Sequence, residues 1–137
     1  MDKFLILVYN IEMNKSKMGE NVLDSKEKAL QVAKILDSKK ARGIKVLDIS
    51  ALTTIADFFV VCSAASTTQV KALADNVIEK MSDEGAEPLR SGGYKSFDWI
   101  LIDYGDVVVH VFKDEARTFY NLEHLWGDAE NVELEFE

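Results

Sequence analysis

Two periodicities alternate along the chain from Asp24 onward, and their switch points outline one domain. Asp24 followed by Glu27 has the form of a capping box, and Leu30, Ala33, Ile35 and Leu36 supply the apolar stripe of a helix that ends before Gly43. Ile44-Lys45-Val46-Leu47-Asp48-Ile49 reads as a short β-type segment. Phe58-Phe59-Val60-Val61-Cys62 is a continuous apolar run, the pattern of a strand covered on both faces. Ser66 and Gln69 then form a second capping box. Val70, Leu73, Ala74, Val77, Ile78 and Met81 follow at intervals of three and four, and Gly85 is placed to stop the helix.

Beyond Pro88 and Ser91-Gly92-Gly93, which leave room for a short edge strand, the pattern turns to β. Trp99-Ile100-Leu101-Ile102-Asp103 and Asp106-Val107-Val108-Val109-His110-Val111-Phe112 flank Tyr104-Gly105, the signature of a tight hairpin. A closing helix is predicted from about Asp114, carrying Ala116, Phe119, Tyr120, Leu122, Leu125 and Trp126. The order helix, strand, strand, helix, strands, helix predicts an α/β fold: a mixed β-sheet with its helices packed mainly on one face.

The flanks divide the chain into an N-terminal extension or arm over residues 1–22, a domain over 23–128 and an acidic C-terminal tail over 129–137. Phe4 to Tyr9 is too short to cross a membrane, which takes about 20 apolar residues, and lacks a cleavage site. Asn14 to Asn21 reads as a polar linker, so loss of residues 1–17 is expected to spare folding. Glu130 to Glu137 alternates acids with Val132, Leu134 and Phe136, as a weak edge strand or a frayed tail would.

With Tyr104-Gly105 as a two-residue loop, Asp103 is expected to face Asp106, Leu101 to face Val108 and Trp99 to face His110. These six side chains share one face; Ile100, Ile102, Val107, Val109 and Val111 share the other, where the amphipathic helices would sit. Three helices are too few to cover both faces, so the mixed face is the candidate for exposure. A tryptophan with aliphatic neighbours and a charged rim has the composition of a protein-binding hot spot. The competing reading is that Trp99 plugs the sheet beneath the C-terminal helix.

Composition narrows the chemistry. The 137 residues, 47% hydrophobic and 29% charged, can bury a core without staples. Acids outnumber bases 24 to 16, a net charge of -8, which disfavours nucleic-acid recognition and favours a basic partner. The lone Cys62 allows no internal disulfide and fits a reducing cytoplasm. Asp103 and Asp106, with His110 as a third ligand, have the residue types of a divalent-metal site for nucleotidyl transfer. Yet Gly92-Gly93 matches no phosphate-cradling loop, and two facing acids beside a turn are more simply solvated. Cys62 with His110 or His124 has the types of a nucleophile and base, but a thiol in an apolar strand behaves as a small hydrophobe. No catalytic, metal or cofactor residue is expected.

From Asp48 onward the residues resemble the Iojap family of ribosomal silencing factors. The matching stretches are Ala56-Asp57-Phe58-Phe59-Val60-Val61, Gln69-Val70 with Ala74-Asp75, and above all Trp99 through Phe112. Glu115, Arg117, Phe119-Tyr120, Leu122-Glu123 and Leu125-Trp126 complete them. Departures occur at Ala56, where a Ser is usual, in Cys62 to Ser66, where a Gly normally precedes the helix, and at Ser91, where an acid is usual. The resemblance implies a nucleotidyltransferase-like topology without catalytic equipment. It also implies binding to large-subunit ribosomal protein fourteen, hindrance of small-subunit joining that lowers translation when nutrients are scarce, and a capacity to form homodimers. It places Trp99, Leu101 and Asp103 on the docking surface; the hairpin face adds Asp106 and His110 to the expected partner-binding residues. The alternatives are a metal-dependent nucleotidyltransferase-like enzyme using Asp103 and Asp106, and a self-associating scaffold.

Overall fold

The computed structural model describes residues 24–93 and 96–134. The apolar run Phe4 to Tyr9, the linker Asn14 to Asn21 and Phe136 lie outside the described residues. Helix α1 spans Ser25–Ser38 and α2 spans Thr67–Asp83. Both start where a side chain takes up a backbone N–H that the helix itself cannot satisfy: Asp24 accepts from Glu27 N at 2.7 Å, and Ser66 Oγ accepts from Gln69 N at 3.2 Å.

The strands are β1 (Arg42–Asp48), β2 (Phe58–Ala64), β3 (Arg90–Gly92), β4 (Trp99–Asp103), β5 (Val107–Lys113) and β6 (Glu130–Asn131), arranged β3-β4-β5-β2-β1-β6. Only β2 and β5 are parallel neighbours; the other pairs are antiparallel, so the sheet is mixed as expected. The apolar run of β2 is buried at all seven positions because it lies inside the sheet with side chains packed above and below. Glu130–Asn131 pairs with Leu47 and Asp48, so the segment after residue 128 joins the same sheet as its far edge.

One face carries α1 and α2. Ala29, Val32, Leu36, Leu73 and Val77 pack there with Val60, Cys62, Ile100, Ile102, Val109 and Val111. The opposite face holds a smaller cluster of Leu47, Ile49, Phe59, Val61, Val108, Phe112 and Leu122, with Trp99, Leu101 and Trp126 packed at its rim. The closing helix is two pieces, α3 (Asp114–Tyr120) and α4 (Leu122–Leu125), separated by Asn121 in the left-handed conformation at φ 47. The helices are therefore divided: the two long ones cover one face and the two short ones part of the other.

The hairpin differs from expectation by one residue in its turn. Tyr104 N donates to Val107 O at 2.8 Å, so the loop is Gly105-Asp106, not Tyr104-Gly105. Gly105 has φ 90 and stands first in the loop, the position a type II′ turn gives to glycine. The pairs become Trp99 with Phe112, Leu101 with His110 and Asp103 with Val108. A one-residue move of the turn shifts the pairing by two, so the face assignments of both strands survive.

Candidate functional site

The register lines up side chains across the sheet on the face opposite α1 and α2. One row runs Lys45, Val61, His110, Leu101 and Gly92; the next runs Leu47, Phe59, Val108, Asp103 and Arg90. Leu122, Trp126, Ala116 and Ala129 of the C-terminal segment pack over the β1-β2-β5 part of these rows. On β4 the row ends are left partly open: Trp99, Leu101 and Asp103 are half-buried, and the neighbour of Leu101 on the edge strand is Gly92, which has no side chain to cover it.

Trp99 is held on several sides. Its ring stacks on Phe112 at 4.9 Å and meets Tyr120 at 4.8 Å. Its indole Nε1 donates to His110 Nδ1 at 3.1 Å. Beneath it the backbone comes so close that a Cβ on Gly93, which has φ 92, would lie 2.0 Å from the Trp99 carbonyl oxygen; only glycine fits. The aromatic cluster continues from Tyr120 to Phe119, which is 80% exposed. A groove of about 510 Å³ opens beside it, lined by Asp98, Lys113, Glu115, Ala116, Phe119 and Tyr120.

His110 was expected on an exposed face but is only 3% exposed. Phe59 meets its ring edge-on at 4.7 Å. Since Nδ1 accepts, the ring proton sits on Nε2, a buried atom with no hydrogen-bond partner among the described residues. Burial pushes the imidazole pKa from 6.5 down to about 4, so His110 is neutral near neutrality.

Asp103 and Asp106 do not face each other. Asp103 accepts from Gly105 N at 2.7 Å and from Arg90 Nε at 2.9 Å on the β4 side. Asp106 sits in the turn, is buried, and reaches Lys28 of α1 at 2.9 Å, so it leaves the mixed face altogether. The two acids thus serve separate cations. No group of three His, Cys, Asp or Glu among the described residues could hold a metal ion. Cys62 points into the α1–α2 core while His110 points to the other face, and burial pushes the thiol up to about 12; they form no nucleophile and base. His124 is exposed on α4.

One constellation was not anticipated. Arg117 donates to Glu123 through Nε at 2.8 Å and Nη2 at 3.2 Å, a bidentate pair, and through Nη1 to Ser63 Oγ and the Arg42 carbonyl, each at 3.2 Å. Lys45 adds a second cation 3.1 Å from Glu123, and the Arg117 bond, ahead of other causes, holds the Glu123 carboxyl below its usual range. This clamp spans Asn121 and fastens α3 and α4 to β1 and β2. The only sequence signal was the presence of Arg117 and Glu123 in the family-like stretch.

Comparison with known proteins matches the whole described domain. A family model described as "Ribosomal silencing factor during starvation" matches residues 22–137. A protein of Halalkalibacterium halodurans named ribosomal silencing factor RsfS is 46% identical over 112 residues, 81% of this chain and 96% of that one. The chloroplastic protein Iojap of Arabidopsis thaliana is 37% identical over 109 residues, covering 80% of this chain and 45% of its own longer sequence. A crystal structure from Chromobacterium violaceum superposes with a TM-score of 0.75 at 34% identity, covering 82% of this chain and 93% of that one.

Proposed function

This chain belongs to the ribosomal silencing factor family, and we propose that it represses translation by binding the large ribosomal subunit through ribosomal protein fourteen and blocking association with the small subunit. The match over residues 22–137 carries this reading. The half-buried strip of Trp99, Leu101 and Asp103 supports it as the docking surface: an aromatic anchor already immobilised by its neighbours, next to an aliphatic side chain and a carboxylate. An anchor fixed before binding loses little rotamer entropy when a partner arrives. Asp106 and His110, being buried, would act from behind this surface, through the turn and through Trp99.

The mechanism is occupancy without chemistry, using no metal or cofactor, and a net charge of -8 suits a basic protein partner better than ribosomal RNA. The same reading includes a nucleotidyltransferase-like strand arrangement, supported by a mixed sheet with one parallel pair between antiparallel ones. It also includes a cytoplasmic location and a capacity for homodimers; among the described residues no helix is long and apolar enough to cross a membrane. Co-sedimentation tests the partner: the protein should travel with isolated large subunits and be captured by purified ribosomal protein fourteen. Migration with small subunits alone would overturn the proposal.

A further inference from the structure

We propose that His110 is a positioning residue: its imidazole draws the Trp99 indole N–H inward, so that Trp99 meets a partner through carbon surface alone. The inference rests on the reading that Trp99 docks, and it adds what kind of contact Trp99 makes. An indole has one polar atom, a donor. On a half-exposed tryptophan that donor is ordinarily free for water or for an acceptor on a partner. Here it is committed to His110 Nδ1 at 3.1 Å, while Phe112 and Tyr120 bound the ring on other sides.

His110 is a rigid base for this bond. It is 3% exposed, sits between Val61 and Leu101 in the register and is met by Phe59 at 4.7 Å. Its other nitrogen finds no partner among the described residues. A phenylalanine would fill the same space without a buried, unsatisfied N–H, so the imidazole is a costly choice unless its accepting nitrogen matters. The bond from Trp99 is what that nitrogen does. With its donor turned away, Trp99 offers a partner apolar ring surface beside Leu101, a site for aliphatic side chains and not for a carbonyl or carboxylate acceptor.

Two measurements on the full chain test this. In the nitrogen-15-labelled protein, a scalar coupling should connect Trp99 Nε1 and His110 Nδ1 across the hydrogen bond. His110→Phe should shift the Trp99 indole N–H resonance and speed its hydrogen exchange, both by more than any change at Trp126, whose ring meets that of His110 only through Phe59. His110→Asn, whose side-chain oxygen falls near the position of Nδ1, should largely restore both. In binding to isolated large subunits, His110→Phe should weaken affinity about tenfold, the expected scale for freeing a half-buried donor. In a Trp99→Phe background the same change should add no further loss. Absence of the coupling, or an equal loss in the Trp99→Phe background, would overturn the proposal. Failure of the wild-type protein to bind large subunits would instead defeat the docking reading, and the indole measurements would still decide the role of His110.

Discussion

Trp99 lies at the boundary between the two readings its sequence pattern allowed: it packs on Phe112 and Tyr120, yet remains half-buried at the open end of its row. Trp99→Ala should therefore keep the fold by circular dichroism and cost about 2 kcal/mol or more in binding to large subunits, read by titration. Alternation along β4 made the shared face of Trp99, Leu101 and Asp103 legible. The burial of His110 was not, because the cover comes from Phe59 and the C-terminal segment, which are remote in sequence. Asp106 was misplaced because glycine fits either central position of a two-residue loop, and the pattern alone does not choose. His110 also carries a pH signature. Its folded pKa of about 4 lies below the ordinary 6.5, so the unfolded chain binds the extra proton first as pH falls. Its contribution is fully present above about 6.5 and is lost progressively toward pH 4, amounting to about 3 kcal/mol. Thermal melts of the wild type minus those of His110→Phe should show this loss; parallel profiles would contradict it, and the subtraction removes shared carboxylates such as Glu123.

At the scale of elements, capped helices and the apolar β2 run were readable because their signals are local: a capping side chain three residues from the backbone N–H it accepts from, and a strand covered on both sides. The break at Asn121 was not, since Ala116, Phe119, Leu122 and Trp126 keep helical spacing through it. Asparagine tolerates the left-handed conformation well enough to end α3 without a glycine. What holds the broken segment is the Arg117–Glu123 clamp, with exposures of 14% and 24% for the two side chains. Arg117→Met should cost about 2 kcal/mol of stability, between the values for exposed and buried pairs. Amide exchange should accelerate over α3 and α4 first while α1 and α2 stay protected. Uniform acceleration throughout the sheet would show that the segment is not an independently fastened cover.

For the whole molecule, family membership and the net charge of -8 are the observations behind the proposed docking, in which the partly open sheet end of an acidic domain would seat on a basic partner. Association with large subunits should weaken as salt rises, mainly through a slower on-rate, because charges at the rim of an interface steer encounter more than they hold the complex. Repression by occupancy requires stoichiometric protein: inhibition should track the ratio of protein to free large subunits, and preformed whole ribosomes should resist it. The most direct measurement is sucrose-gradient sedimentation of purified subunits at joining-competent magnesium, with and without the protein. Whole ribosomes should fail to form at saturating protein, and the protein should migrate with the large subunit. Equal formation of whole ribosomes in both gradients would contradict it.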